Sequence, residues 1–312
     1  MSLKISVIIP VYNDPGGLGD TLQSLVAQDF PRSRFEVIVV DNGSTDFTHQ
    51  VARDFAAGHP EIIRVVIEDS IQSSYAARNK GIDLSSGEII CFIDADMTVD
   101  RDWLRNVEYL FAAESVYYVG FRVEVTINKK TVVALYNQMR TFLIEHHVKN
   151  TDFVPTCCLA VRRDLFRKVG LFNPRLVSGG DLECGNRVKE SGVSLRYEPT
   201  IVMYHPARAT IWSLIKRDLR RGRGISQLST LYPDRYSGMQ SKLRNPLHLL
   251  PRRPRFERAP TNMEAFKQNK LTIRMAFYFL ELVSKIALGL GYIAEQCRVR
   301  RTSNNKKHPT TA

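Results

Sequence analysis

Four short runs dominated by isoleucine, valine and phenylalanine recur through the first hundred residues: Ile5–Val11, Phe35–Val40, Ile62–Ile67 and Glu88–Ile93. They show little polar alternation, as expected of strands covered on both faces. Between them Leu18, Leu22, Leu25 and Val26 fall on one helical stripe, and Val51, Ala52 and Phe55 on another. Short buried strands separated by amphipathic helices predict βαβ units and an α/β fold with a mostly parallel, doubly wound sheet flanked by helices. Ligands of such sheets bind beyond the carboxyl ends of the strands. Three polar segments stand at such ends: Tyr12-Asn13-Asp14, Asp41-Asn42-Gly43-Ser44 and Asp94-Ala95-Asp96.

Beyond this repeat the pattern predicts a helix at Trp103–Ala113, a strand at Tyr117–Val125 and a helix over Leu135–Val148. Helices follow at Asp164–Val169 and Asp181–Ser191, strands at Val193–Tyr197 and Ile201–Tyr204, and a basic helix at Thr210–Leu231. Pro233 to Pro260, rich in Pro and Arg, reads as a loop or linker. The expected organisation is therefore a domain over 1–232, a linker over 233–270, a C-terminal helix over 271–300 and a disordered tail over 301–312.

The chain has 312 residues, 44% of them hydrophobic, enough to build a large core without a disulfide or zinc staple. Its five cysteines show no CxxC spacing, so a reducing compartment is expected. The N-terminus reads as a strand and not as a signal peptide, which argues against secretion. Charge is uneven: residues 1–204 carry −4, whereas 205–312 carry 22 Lys and Arg against 6 acids, a net of +16. A basic segment of this kind points to an anionic partner, nucleic acid or acidic membrane, or serves as a solvated surface. Leu271–Ala294 is apolar enough to suggest a membrane span. Arg274, Glu281 and Lys285 interrupt it on one face, so a helix packed on the protein or lying in a membrane interface is expected instead.

Each candidate site residue has a structural alternative. The carboxylates of Asp94 and Asp96, alternating in direction, can divide a ribose hydroxyl and a divalent cation between them, or cap the next helix. Asp41 can accept from a nucleobase N–H edge or shape its own turn. Arg78 in Ala76-Ala77-Arg78-Asn79-Lys80-Gly81 can hold a nucleotide or pair with an acid. Asp181, in Ser178-Gly179-Gly180-Asp181-Leu182-Glu183, can be a base on a glycine loop or an N-cap. His205 can complete a metal shell or be structural.

The order of these features, strand-PVYN, strand-DNGSTD, ARNKG, strand-DAD, GGD and YH, resembles the family 2 glycosyltransferases with the GT-A nucleotide-sugar-binding fold, over about residues 4 to 224. The resemblance implies an inverting enzyme that moves one sugar from a nucleoside diphosphate sugar, of UDP or GDP type, to a hydroxyl acceptor on a lipid-linked or envelope glycan. It implies that Pro10, Tyr12 and Asp41 hold the base, that Arg78 assists at the nucleotide and that Asp94 takes the ribose. Asp96 and His205 would hold Mn2+ or Mg2+, and Asp181 would be the general base. Gly180 departs from the frequent acidic residue before that aspartate, a departure for which Glu183 is expected to compensate. No QxxRW segment is present; Arg220-Arg221-Gly222-Arg223-Gly224, read as an arginine-rich turn, offers Arg220, Arg221 and Arg223 to a diphosphate or acceptor. A cytoplasmic enzyme, peripheral on the inner face of an anionic membrane and without a nucleic-acid partner, follows. The alternatives are a nucleotidyltransferase, disfavoured because Pro10-Val11-Tyr12-Asn13 replaces a glycine-rich loop, and a non-enzymatic basic membrane or nucleic-acid binder, for which the strand-end acids have no use.

Overall fold

The structure is a computed structural model that describes residues 3–113, 115–244 and 270–307. Along the chain come β1 (Ile5–Val11), α1 (Pro15–Val26), β2 (Phe35–Asp41), α2 (Thr48–Gly58), β3 (Ile63–Ile67), α3 (Ser74–Leu84), β4 (Ile89–Phe92) and β5 (Thr98–Val99). There follow α4 (Trp103–Phe111), β6 (Tyr118–Thr126), α5 (Val132–Arg140), α6 (Ile144–Asn150), β7 (Leu159–Arg162) and α7 (Asp164–Val169). The last elements are α8 (Gly180–Glu190), β8 (Leu195–Pro206), α9 (Ile211–Leu231), α10 (Pro233–Arg244) and α11 (Lys270–Lys307). They fall into two units, the first comprising residues 1–126, 142–175 and 180–206, the second 127–141, 176–179 and 207–312.

The first unit holds an eight-stranded sheet of order β3-β2-β1-β4-β7-β6-β8-β5. Strands β3, β2, β1 and β4 are mutually parallel, and β6 is parallel to β8. The remaining neighbours are antiparallel. Val37 to Val40 and all of β4 are fully buried, which accounts for their unbroken apolar sequence. Gly81 explains the glycine of the ARNKG motif: a Cβ there would come within 2.5 Å of the Ile8 side chain, so α3 lies close on β1 only without one. The sheet is the α/β architecture that the repeat predicts.

Three local expectations are corrected. The helix expected over Leu135–Val148 is broken into α5 and α6, because Phe142 takes a left-handed conformation with φ +54°. The strands expected at Val193–Tyr197 and Ile201–Tyr204 are one strand, β8, whose register against β6 slips between Phe121 and Arg122. Strands β5 and β7, two and four residues long, have no counterpart in the sequence reading.

In the second unit α9, α5 and α11 share a small core of Val133, Leu135, Tyr136, Leu214, Phe277 and Leu280. The Tyr136 hydroxyl donates to Glu281 Oε2 at 2.7 Å, and Arg140 bonds the same oxygen at 2.8 Å. Asp218 on α9 is fully buried and receives Arg217, Arg221 and the Ser284 hydroxyl of α11. Burial alone would raise its carboxyl, but these donors hold it below the ordinary aspartate value. Arg220–Gly224 is no turn: it lies inside α9. Its Gly222 has the backbone of Leu288 where a Cβ would stand, and Gly291 meets Leu219 in the same way, so glycine here serves helix contact and not chain reversal.

Two boundary expectations also change. Pro233–Arg244 is helix α10 and not linker, its proline in the first turn where no N–H is required. Helix α11 runs on to Lys307, past the expected start of the tail. The rest of the expected linker, 245–269, and residues 308–312 lie outside the described residues.

Candidate functional site

The loops after β1, β2 and β4 gather at one edge of the sheet because those strands are parallel and in register. Asn13, held at φ +52°, accepts the Thr45 N–H on its side-chain oxygen at 2.8 Å and donates its own N–H to Ser44 Oγ at 3.0 Å. The Asp14 N–H reaches Thr48 Oγ1 at 2.8 Å, so the first two loops are clipped together. Gly43, at φ +80°, permits the turn between Asp41 and Ser44. The absence of a side chain at Gly17 lets α1 approach the carbonyl of Ala95 in the third loop.

On this edge Tyr12 stands exposed at the end of β1, and Pro10 is half-buried two residues before it. Asp41 is buried; one carboxylate oxygen accepts from the Ser44 N–H at 2.9 Å and the other lies 3.0 Å from His49 Nδ1. An ionised carboxylate offers about four acceptor positions, so capacity for a further donor remains. His49 was not singled out by sequence: it sits one residue into α2 without any motif of its own.

Arg78 lies within α3, buried, with its guanidinium 2.6 Å from Asp94 Oδ1 and stacked at 5.7 Å from the centre of the Tyr75 ring. The acid pairing is thus present, but below the surface and with the aspartate of the DAD loop. The arginine thereby fixes the half-exposed Asp94 carboxylate.

Strand β5 pairs antiparallel with the end of β8, Thr98 against Tyr204, which brings the DAD loop beside His205. His205 Nδ1 lies 2.7 Å from the Pro206 carbonyl, and a carbonyl only accepts. The other ring nitrogen, Nε2, faces Asp96 Oδ2 at 3.5 Å. The Phe142 ring, in its left-handed backbone, lies 4.8 Å from the imidazole and braces it. A hard carboxylate oxygen and an imidazole nitrogen presented to one another fit a divalent cation. Among the described residues no cluster of three or more His, Cys, Asp or Glu side chains does so. A cation here would complete its shell with oxygens of a bound phosphate and water, as Mg2+ and Mn2+ commonly do.

Asp181 sits in the first turn of α8, with its Oδ1 accepting from the Leu182 N–H at 3.0 Å and from the Tyr75 hydroxyl at 3.4 Å. Burial pushes its carboxyl above the ordinary aspartate value, while the Leu182 N–H, the Arg78 charge and the Tyr75 hydroxyl pull part of the way back. A carboxylate with a raised pKa on this edge can take a proton from a hydroxyl. Tyr75 has no sequence signal, being one aromatic residue ahead of a recognisable motif.

The auxiliary residues fare differently. Glu183 is buried and held by both arms of Arg187, Nε to Oε1 at 2.7 Å and Nη2 to Oε2 at 2.9 Å. Its carboxylate is committed within α8 and does not stand in for an acid at position 180. Arg221 bonds Asp218 at 3.2 Å and Arg223 bonds Glu295 at 3.1 Å, so both brace the second unit, whereas Arg220 is exposed.

Residues 6–170 match the family model described as glycosyl transferase family 2. Glycosyltransferase AglE of Haloferax volcanii is 37% identical over 225 residues, covering 72% of this chain and 73% of its own length. The pre-mycofactocin glycosyltransferase of Mycobacterium tuberculosis is 28% identical over 240 residues; the match takes 74% of this chain but only 48% of that protein. Among solved structures, the mannosyltransferase PcManGT of Pyrobaculum calidifontis, in complex with GDP-Man and Mn2+, matches 99% of this chain and 82% of its own with a TM-score of 0.56 at 21% identity. TarS 1-349 of Staphylococcus aureus, with UDP-GlcNAc, matches 96% and 92% with a TM-score of 0.55 at 14% identity. The chain belongs to glycosyl transferase family 2 and is a glycosyltransferase with the GT-A architecture of these structures.

Proposed function

We propose that this glycosyltransferase is an inverting enzyme that moves one sugar from a nucleoside diphosphate sugar to a hydroxyl acceptor, with a divalent cation held by Asp96 and His205. The observation that carries the reading is His205 Nε2 facing Asp96 Oδ2 at 3.5 Å, on the loop that also carries Asp94. Support comes also from the similar structures, one bound to GDP-Man with Mn2+ and another to UDP-GlcNAc.

In this reading Tyr12 lies against the nucleobase, Pro10 flanks it, and Asp41 accepts from the base's N–H edge. Asp94, steadied by Arg78, accepts from a ribose hydroxyl. The cation, Mn2+ or Mg2+, supplies Lewis-acid neutralisation of the charge that builds on the departing diphosphate. Asp181 takes the proton of the acceptor hydroxyl as that oxygen attacks the anomeric carbon from the face opposite the leaving group. A single displacement inverts the configuration. Base assistance of this kind is worth roughly 10²–10⁴-fold in rate. The acceptor proposed is a hydroxyl on a lipid-linked glycan or glycolipid.

A thermal-shift panel of UDP, GDP, dTDP and CDP, each with Mn2+, Mg2+ or EDTA, tests the reading. A ligand that binds only the folded chain raises the melting temperature by mass action. One nucleotide should stabilise with metal and lose that effect in EDTA. Stabilisation undiminished by EDTA would remove the cation from the reading.

A further inference from the structure

Helix α11 is apolar on two opposite sides. One side is consumed within its own unit: Phe277, Leu280 and Ala287 are buried there, as is Glu295 with its partners Arg223 and Gln227. The other side is a bare stripe that starts at Leu271 and continues through Met275, Phe279, Leu282, Ile286, Leu290 and Ile293, each between 38% and 72% exposed. Over its 23-residue course, 22 steps or about 33 Å at 1.5 Å per residue, no charged residue interrupts it. A continuous apolar surface of this length on a soluble face marks an interaction site.

We propose that this stripe is a membrane-docking surface on which α11 lies flat, in the interface of an anionic leaflet. Three observations select that occupant. The steps along the stripe are 4, 4, 3, 4, 4 and 3 residues, an eleven-residue repeat of 3.67 per turn, close to the 3.6 of a straight helix. The stripe therefore keeps to one side of α11 and can meet a plane along its whole length. Charge makes the second selection. Residues 205–312 carry +16, and Arg298, Arg300, Arg301, Lys306 and Lys307 follow the stripe directly in sequence. Two copies meeting here would bring like charge together, whereas an anionic leaflet attracts it.

The third observation excludes a span, although Leu271–Val299 is long and apolar enough for one. The side of α11 opposite the stripe is tied to charged groups: Glu281 to Arg140 and Lys285, Ser284 to the buried Asp218, Glu295 to Arg223. A crossing helix would carry those ions into hydrocarbon or tear them from their partners. Lying flat, it leaves them on the protein side. At the start of α9, whose Leu214 shares a core with Phe277 and Leu280, Trp212 is 61% exposed with Lys216 Nζ 5.5 Å from its ring centre. An aromatic body with a cationic neighbour is the composition of an interfacial anchor.

The proposal deepens the reading of a lipid-linked acceptor, but its test uses neither donor nor acceptor, so either can fail alone. The full chain is floated with vesicles of phosphatidylcholine, alone or with phosphatidylglycerol at about 30 mol%. The wild-type chain should rise with the anionic vesicles, with at least about tenfold lower recovery on neutral ones or at high salt. Phe279→Glu with Ile286→Glu should stay at the bottom, and so should the milder Phe279→Ser with Ile286→Ser. Both should keep the wild-type melting temperature, because neither side chain is buried. Equal recovery on neutral and anionic vesicles overturns the proposal. So does flotation of folded stripe variants at the wild-type level, or a wild-type dimer in light scattering that those variants convert to monomer.

Discussion

The hydroxyl of Tyr75 donates to Asp181 Oδ1 at 3.4 Å, and the same ring fills the space beside Gly180, where a Cβ would stand 2.8 Å from Tyr75 Cζ. The missing acid before the proposed base and the tyrosine are thus one arrangement: the ring occupies the room a side chain at position 180 would need. Since the hydroxyl favours the ionised carboxylate, its removal should raise the pKa of Asp181 further. Tyr75→Phe is expected to move the acidic limb of the pH profile for kcat/KM upward and to lower turnover roughly 2- to 10-fold, the worth of one hydrogen bond. An unmoved limb would leave Tyr75 with packing alone.

Asp181, the proposed base, carries a stability consequence as well as the proposed catalytic one. Its folded-state pKa is raised, so protonation stabilises the folded chain and ionisation costs stability as pH rises through the folded value. Asp181→Asn should cut turnover by about 10²–10⁴-fold while nucleotide binding persists. The same variant should melt higher than wild type at neutral pH, with the gap closing as pH falls through the raised pKa. A melting difference that stays constant from pH 7 to about 4 would show that the carboxyl is not destabilised by burial.

At the proposed cation site, Asp96→Ala and His205→Ala should each abolish the metal-dependent part of the nucleotide-induced thermal shift. Phe142→Ala should weaken it less, because it removes only the ring that braces the imidazole. Isothermal titration of Mn2+ in the presence of the stabilising nucleotide measures this directly. Retained affinity in His205→Ala would transfer the cation to other ligands.

The central sheet is legible in the sequence because parallel strands buried on both faces leave apolar runs without gaps. Short edge and antiparallel pieces leave none: Thr98–Val99 and Leu159–Arg162 are too brief to show a period. Glycine is ambiguous in one dimension. Gly222 inside α9 carries the same letter as the turn-forming Gly43, and only the position of Leu288 tells them apart. Acids at strand ends are legible as positions on the ligand edge. Among their supports, Tyr75 and Phe142 come from elements remote in sequence, and His49, eight residues after Asp41, carries no pattern of its own.

That ambiguity of glycine makes a test with an internal control. Gly19 lies inside α1 with nothing within 4 Å of where a Cβ would stand, whereas Gly222 has the Leu288 backbone there. Gly19→Ala gains helix propensity and restricts the unfolded chain, so it should stabilise by about 0.4–1 kcal/mol. Gly222→Ala gains the same and loses more: α9 and α11 must part, and overpacking of this kind costs about 1–3 kcal/mol. Urea unfolding followed by circular dichroism should therefore move the two midpoints in opposite directions. If both variants were stabilised, the two helices would have to meet elsewhere than at Gly222 and Gly291, because the chemical change is identical and only the neighbour differs.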